Sequence, residues 1–457
     1  AFHSIGRATS SLLQWRARPE QSCAAPQQNR TRARPPELAK ERHRRRFGSQ
    51  PPQDRRQRER ERERDRRENR MGYIPQSALE NLSQYRYSCV DASPFSKLVM
   101  QPYWNAAIRL VPLGIAPNML TLIGFAAVIA NFLTVLFYCP TLDCGAAPAW
   151  VFLSCAVGLQ WYSLLDNLDG RQARRTANSS PLGELFDHGC DCLAVPIGAL
   201  TASGVARFGS GVTSVVQLVV MTGAFWFATW EEYHTGSLYL GVFNGPTEGI
   251  QIVAGLYLLT YFMGPEVWRW DAGSTCGLPE GAIFGWDLST VTAVTCAAPM
   301  VVTILFNIKS VVDKLREEKR SATSALLHAG TFAIFATCTL SWFFVATSDW
   351  ETQPHLFHMA VGLCFGELTS RLILAHVTKQ EFAMVQRPLY LLLVATANCV
   401  GGQLAVGAPF LGSHLQTGAA LLVVEGLLFA HYFVSIVTEI CNFLGIYALR
   451  INRKKAP

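Results

Sequence analysis

Charged residues are scarce in this chain. Only 16% of its 457 residues are Asp, Glu, Lys or Arg, and half are hydrophobic, whereas about 25% of an average soluble domain is charged. The charges are also unevenly distributed, because residues 1–70 hold 20 basic and 9 acidic side chains and the rest of the chain holds 20 and 24. The body of the chain is therefore apolar and slightly acidic, which argues against a series of soluble domains.

The cysteines do not have the spacing of a metal or disulfide framework. None of the thirteen belongs to a CxxC pair with histidine partners, the arrangement typical of structural zinc sites. Most are interpreted as small apolar residues within helices. Cys139 and Cys144 flank a turn, and the sequence leaves open whether they pair.

The first seventy residues differ in composition from everything that follows. Residues 41–70 are charged and nearly free of apolar side chains, so they cannot bury a core and are predicted to be disordered. We interpret residues 1–70 as an upstream extension, because ordered-looking sequence begins only at Met71. An organelle transit segment and a basic arm for anionic lipid are the alternatives, and no nucleic-acid partner is expected.

Long apolar runs fill the remainder. A membrane-spanning helix needs roughly 20 mostly apolar residues, and the runs of this kind lie near 118–138, 148–166, 184–204, 211–230, 248–264, 286–308, 324–346, 356–376, 388–407 and 417–446. Residues 97–113 mix apolar and charged positions, which favours an amphipathic helix at the membrane interface, with the soluble start of the first span as the alternative. The predicted fold class is an all-α, polytopic integral membrane bundle of about ten helices.

The basic residues test this layout. If the N-terminus is cytosolic, fifteen Lys and Arg fall on the cytosolic side of the spans, and only Arg207 and Arg269 fall on the other. Cytosolic loops of membrane proteins are enriched in basic residues. One wrongly placed span would destroy this asymmetry.

Four aspartates are concentrated at the second and third spans. Asp166 and Asp169 are three positions apart near the end of one helix, and Asp187 and Asp191 are four apart near the start of the next. Each pair therefore lies on one helix face, and the connection at 170–183 lets the two faces meet. Four converging carboxylates repel one another unless cations neutralise them, and oxygen-only ligands favour Mg²⁺, Mn²⁺ or Ca²⁺.

Two further features suit a phosphate ligand. Small residues between the acids let a ligand approach the backbone, and Arg174 offers a planar fork for phosphate. Solvated helix caps and an ion-transport pathway are the alternatives. Transport sites usually lie at mid-membrane on broken helices, whereas these acids cluster at the edge.

Eight residues at fixed spacing resemble the signature of the CDP-alcohol phosphotransferases. They are Asp166, Asp169, Gly170, Ala173, Arg174, Gly183, Asp187 and Asp191. The flanking stretches RYSCVD, PLGIAPNMLTLIG, GELFDHGCD and TWEEYHTGSLYL are similar to the eukaryotic choline/ethanolamine phosphotransferase subgroup. The resemblance runs from about residue 71 to the C-terminus.

The resemblance implies the last step of phospholipid synthesis. CDP-ethanolamine or CDP-choline would donate its phospho-alcohol to diacylglycerol and release CMP. The four aspartates would surround two Mg²⁺ ions, with Mn²⁺ as an alternative. Another CDP-alcohol donor such as inositol, a membrane transporter and a scaffold that has kept the signature are the competing interpretations.

Residue roles follow from the same resemblance. Gly170, Ala173, Arg174 and Gly183 would hold the CDP moiety, and Asn118 and Thr121 would contact the nucleotide or the phosphates. Asp191 and His188 are equal candidates for the general base. Glu231 and Glu232 are further candidates, but we interpret them as a solvated helix end.

The resemblance also predicts the organisation of the chain. A cytosolic N-terminal segment (71–117) would precede a six-helix catalytic core (118–308), a four-helix C-terminal part (309–446) and a basic cytosolic tail (447–457). Members of the family are dimers, so a homodimer is expected, with the later helices as its interface. The implied location is the endoplasmic reticulum, with the Golgi as an alternative, and an active site that faces the cytosol.

Overall fold

A computed structural model describes residues 72–242 and 245–452. The predicted extension at 1–70 and the end of the basic tail lie outside the described residues. Two strands are present, β1 (Cys89–Asp91) and β2 (Leu238–Leu240). The α-helices are, in chain order, α1 (Gln76–Leu82), α2 (Gln101–Ala107), α3 (Pro117–Tyr138), α4 (Ala149–Arg175), α5 (Pro181–Val205), α6 (Val212–Thr235), α7 (Ile250–Met263), α8 (Ala272–Thr275), α9 (Leu288–Glu317), α10 (Thr323–Val345), α11 (Thr347–Thr352), α12 (Pro354–Thr378), α13 (Arg387–Thr396), α14 (Gly402–Val406) and α15 (His414–Leu444).

Each predicted apolar run is helical, so the helical membrane fold is confirmed. Local sequence explains several of the ends. Proline occupies the start of α3, α5 and α12, where its missing amide proton costs no hydrogen bond. Helix α15 begins with a capping box made by Ser413 and Gln416 and ends at Gly445 in the left-handed conformation, which glycine adopts without strain.

Among the described residues, fewer helices than predicted meet the length and hydropathy of a membrane span. In the described part of the chain, seven helical segments are long and apolar enough to cross a membrane: α3, α6, α9, α10, α12, α15 and the segment from α13 to α14. Helix α7 has only 14 residues, and α4 and α5 carry the aspartates. The total of about ten spans therefore stays a prediction.

Helix α12 is the centre of the bundle. In the apolar 18-residue stretch of α12, 83% of the residues are buried, whereas at most 50% are buried in the corresponding stretch of the other six segments. It packs against α5, α6, α13 and α15, and one hydrophobic cluster extends from Ala199 on α5 to Leu421 on α15. The helices on either side of the predicted division at residue 308 therefore share a core, and the division itself stays a prediction.

The N-terminal segment is attached to one end of this bundle. The Glu439 carboxylate on α15 accepts hydrogen bonds from the amides of Tyr73 and Ile74 at 2.9 and 3.0 Å. Further along, β1 pairs in parallel with β2, with Cys89 opposite Leu238. A π-helical turn, α2 and a 3₁₀ turn then cover residues 96–110, where the interfacial helix is predicted. Its position at a membrane surface stays a prediction.

The opposite end of the bundle is closed by a disulfide and ion pairs. Cys139 and Cys144 are bonded in the turn after α3, which settles the pairing that the sequence left open. Asp143 accepts hydrogen bonds from Arg207 at 2.7 Å and Arg269 at 3.3 Å. Burial raises the pKa of Asp143, but hydrogen bonds from Arg207 and the Gly145 amide outweigh this and hold the pKa below its ordinary value.

A buried ion cluster ties α12 to α13. The Glu367 carboxylate has no exposed surface. It accepts a hydrogen bond from Arg371 at 2.7 Å and pairs with Arg387. Breaking a buried pair from one side leaves an uncompensated charge, which costs about 3–5 kcal/mol.

Replacing Glu367 is therefore predicted to destabilise the protein strongly. We expect Glu367→Ala to lower the midpoint of thermal unfolding in detergent, because Arg371 and Arg387 lose their carboxylate. The exposed Glu280 provides the control, since Glu280→Ala leaves no buried charge. Equal midpoints for the two variants would contradict a structural role for this cluster.

Candidate metal centre

The four aspartates lie where α4 and α5 meet. Helix α4 ends at Arg175, and the chain reverses through Ala177, which has a φ of 56°. The Asn178 amide donates to the Ala173 carbonyl at 2.8 Å, so the turn is closed by the backbone before α5 begins at Pro181. This tight reversal places the last turns of α4 beside the first turns of α5.

The aspartate side chains of α4 and α5 contact one another through Asp187. Asp187 lies against both Asp166 and Asp169, and Asp191 is close enough to Asp166 for their charges to interact. Asp169 is buried. The two helix pairs therefore form one acidic cluster.

The negative charge of this cluster is not balanced by a basic side chain in the described residues. Across residues 72–242 and 245–452, no Lys or Arg forms an ion pair with any of the four aspartates. One buried oxygen of Asp166 and one of Asp187 have no hydrogen-bond partner there. Buried carboxylates are stable only when charge or hydrogen bonds compensate them. An all-oxygen donor set with unpartnered atoms fits a hard divalent cation such as Mg²⁺ or Mn²⁺.

Two hydroxyl groups hold the outer members of the cluster. Thr121 on α3 donates to Asp169, and Tyr162 on α4 donates to Asp191. Thr121 was singled out by the resemblance, whereas Tyr162 was missed. Its position one helical turn before Asp166 on the same face is a signal that the sequence does contain.

Small residues leave space beside the acids. A Cβ added at Gly170 would meet only the Arg174 guanidinium, at 3.5 Å, and one added at Gly183 would meet only the Asn118 side-chain oxygen, at 3.9 Å. Asn118 is buried, and Ala173 is partly buried on the same helix as Gly170. Gly170 therefore lies beside Arg174, and Gly183 lies beside Asn118.

Three arginines at the end of α4 have different surroundings. Arg171 lies over the Trp104 ring at 4.9 Å and donates to the Asn167 carbonyl at 2.6 Å. Arg175 donates to the carbonyls of Ile108 and Val111, in the segment that follows α2. Arg174 is exposed and makes no side-chain hydrogen bond or ion pair within the described residues. Only Arg174 among the three is therefore free for a ligand.

His188 lies one turn from both Asp191 and Glu184 on α5. Its ring is in edge contact with Tyr87, at 6.2 Å between centroids. Tyr85 in the same N-terminal segment donates to Glu184, and burial beside the Glu184 and Glu232 carboxylates raises the pKa of Tyr85 well above its ordinary value. Residues 85–87 therefore cover the acidic end of α5.

The interpretation of Glu231 and Glu232 as a solvated helix end is wrong. Both are only 3% exposed. The last turn of α6 packs beneath the N-terminal segment instead of ending in solvent, because β2 follows directly and pairs with β1. Glu232 faces His376 on α12, with 4.0 Å between the nearest nitrogen and oxygen.

Comparison with known proteins adds to this geometry. The profile of the family described as CDP-alcohol phosphatidyltransferase matches residues 114–273. The chain is 35% identical to choline/ethanolaminephosphotransferase 1 of Arabidopsis thaliana, over 84% of this chain and 100% of that protein. It is 30% identical to cholinephosphotransferase 1 of Saccharomyces cerevisiae, over 84% and 99%. An uncharacterized class-I family protein 3 of Dictyostelium discoideum is 36% identical, over 83% and 99%.

The Tyr162 hydroxyl is predicted to support cation binding. Removing a hydrogen bond to a metal-binding side chain typically costs about 10–100-fold in affinity or activity. We expect Tyr162→Phe to weaken Mn²⁺ binding by about this factor, measured by electron paramagnetic resonance of free Mn²⁺ during titration.

Tyr261→Phe is the matched control, because Tyr261 lies on α7, away from the aspartates. Unchanged Mn²⁺ affinity in Tyr162→Phe would separate this hydroxyl from the metal centre.

Proposed function

Because this chain belongs to the CDP-alcohol phosphatidyltransferase family, we propose that it transfers phosphoethanolamine or phosphocholine from the CDP-alcohol to diacylglycerol and releases CMP. The chain matches nearly the whole length of the relatives that are named for these two activities. This supports ethanolamine or choline over inositol as the alcohol of the donor. The observation that carries the proposal is the cluster of four aspartates, all at signature positions and without a basic partner in the described residues, of which Asp169 is buried and the other three are partly buried.

The cluster fits two Mg²⁺ ions, with Mn²⁺ as the alternative. Asp166, Asp169, Asp187 and Asp191 would hold them, since the set contains only oxygen donors and includes two unpartnered buried oxygens. Bound divalent ions would neutralise the diphosphate and the charge that develops on the departing CMP. Thr121 and Tyr162 fix the rotamers of Asp169 and Asp191, so the oxygen donors are held in place before cations arrive.

The surrounding residues bind and orient the CDP-alcohol. The open faces of Gly170 and Gly183 admit a diphosphate against the backbone. The unengaged guanidinium of Arg174 can donate two parallel hydrogen bonds to phosphate oxygens, and Asn118 contributes an amide beside Gly183. These contacts hold the reacting phosphorus in line with an incoming hydroxyl.

We infer that His188 is the general base. In the transfer, the diacylglycerol hydroxyl oxygen bonds to the β-phosphorus, the bond from that phosphorus to the CMP oxygen breaks, and the hydroxyl proton moves to the base. Asp191 is less suited to take it, because it already accepts a hydrogen bond from Tyr162 and would also be occupied by a bound cation. His188 lies one turn away. It neither accepts the Tyr162 hydrogen bond nor belongs to the proposed metal ligands.

The arrangement suits substrates that arrive from two phases. We propose that the protein lies in the endoplasmic reticulum membrane with its site facing the cytosol, where a water-soluble CDP-alcohol reaches it directly and diacylglycerol enters between helices. The Cys139–Cys144 disulfide lies at the opposite end, and disulfides persist in oxidising compartments such as the lumen. The excess of basic residues at the site end supports the same orientation.

The protein is proposed to act as a homodimer. Helices beyond residue 309 exceed what the metal centre requires, and α15 has an exposed apolar face that includes Val423, Leu427 and Val434. Such a face is suited to a helix of a second copy in the bilayer.

Transfer activity is predicted to depend on divalent cations and on Asp187. We expect purified full-length chain to convert labelled CDP-ethanolamine or CDP-choline and diacylglycerol to phospholipid with Mg²⁺, and to lose this activity in EDTA or in Asp187→Asn. The ratio of the two donors defines the specificity. Folded protein without product from either donor would contradict the proposed function and favour a scaffold.

The two candidate bases are distinguishable by pH and metal dependence. His188→Gln is expected to lower kcat by about 100-fold or more, as loss of a general base does, while the Mn²⁺ affinity stays unchanged. Asp191→Asn is expected to lower Mn²⁺ affinity together with kcat. If His188→Gln retained full kcat across the pH range, Asp191 would become the base.

Arg174 is predicted to bind the donor rather than to stabilise the fold. A hydrogen bond to a charged group contributes about 1.5–3 kcal/mol, so Arg174→Ala is expected to raise the KM for CDP-alcohol by about 10–100-fold. Arg175→Ala is the matched control, because its guanidinium already caps backbone carbonyls. Equal effects of the two changes on KM and on thermal stability would contradict a specific donor contact.

A further inference from the structure

A second group of possible metal ligands lies outside the aspartate cluster. Glu184 is in the first turn of α5, Glu232 is near the end of α6 and His376 is near the end of α12. One ligand atom from each lies within 4.8 Å of the others. Three separate helices therefore place two carboxylates and one imidazole around a common point.

The two carboxylates are buried and only partly compensated. Glu184 is 9% exposed and Glu232 is 3% exposed. One oxygen of each has no hydrogen-bond partner in the described part of the chain, although the Tyr85 hydroxyl donates to the other Glu184 oxygen. Buried like charges that lack partners are costly, so the unpartnered oxygens are suited to bind a cation.

The cluster also has an entry path. A cleft of about 490 Å³ borders it and is lined by Tyr85, His376 and Lys379 among others. The Tyr85 oxygen lies 3.2 Å from the His376 Nε2 atom, so this phenol stands between the cleft and the two carboxylates. An ion can therefore reach the ligands by displacing one side chain.

We propose that Glu184, Glu232 and His376 bind one Zn²⁺ ion at a site separate from the four aspartates. Zinc accepts imidazole and carboxylate ligands together, and three protein ligands with a fourth open position are common in zinc proteins. Mg²⁺ prefers oxygen-only surroundings and retains its waters, so it is the poorer match for a set that contains histidine.

Zinc at this point would join the ends of three helices. Helix α5 continues from Glu184 to Asp187 within one turn, so the ion would fix the start of the helix that carries two of the aspartates. It would also attach α12, the central helix of the bundle, to α6. The expected consequence is a higher midpoint of thermal unfolding with zinc than without it, since binding to the native state alone stabilises it.

The test uses full-length Asp187→Asn/Asp191→Asn protein, in which the aspartate site is disabled. We expect about one equivalent of Zn²⁺ per chain after dialysis, measured by mass spectrometry of the metal, with a raised thermal midpoint. Adding His376→Gln or Glu232→Gln should abolish both effects. His328→Gln, an imidazole outside the cluster, should abolish neither. Retention of zinc in the His376→Gln and Glu232→Gln proteins would overturn the proposal.

A second measurement needs no variant. X-ray absorption on wild-type protein loaded with substoichiometric zinc should show imidazole scattering together with oxygen ligands, whereas a shell of oxygen alone would overturn the proposal. Neither readout uses phospholipid synthesis. Failure of the zinc site therefore leaves the proposed transfer activity standing, and failure of the transfer assay leaves the zinc site standing.

Discussion

The repulsion among four aspartates at the end of two helices is the constraint on which the site depends. Burying one unpaired carboxylate costs several kcal/mol, and here Asp166, Asp169, Asp187 and Asp191 share one place without a basic partner in the described residues. Bound cations would relieve this repulsion and complete the site. The helices hold the acids in place. The cations that the acids bind would in turn bind the diphosphate.

The surrounding structure divides its tasks between neighbouring residues. Arg171 and Arg175 bind the segment ahead of α3 to α4 through their side chains. Arg174, between them, makes no such contact in the described residues. Thr121 and Tyr162 each hold one aspartate, while Gly170 and Gly183 keep the space beside them open. On the other side of α5, the N-terminal segment covers Glu184 and His188, because β1 pairs with β2 and Glu439 holds the amides of Tyr73 and Ile74.

Much of this was predictable from residue spacing. The i, i+3 and i, i+4 pairs of aspartates predicted a shared face, and apolar runs located the helices, although α4 continues to Arg175 and α9 to Glu317, beyond the predicted ends at 166 and 308. Tyr162 was overlooked because a tyrosine within an apolar run is usually interpreted as a residue that packs in the core. Glu232 was misjudged because helix-end acids are usually solvated, and it is buried by the pairing of β1 with β2, which are about 150 residues apart, together with His376 on α12. His376 joins Glu184 through tertiary packing that no local pattern encodes.

The central claim is that cations held by the four aspartates contact the reacting phosphate. The most direct measurement replaces one non-bridging β-phosphate oxygen of the CDP-alcohol with sulfur and compares transfer rates in Mg²⁺ and in Cd²⁺. Sulfur is a soft ligand that Mg²⁺ binds poorly and softer ions bind well. The account predicts a large fall in rate with Mg²⁺ for one sulfur diastereomer and recovery with Cd²⁺. The same small reduction with both ions would contradict it.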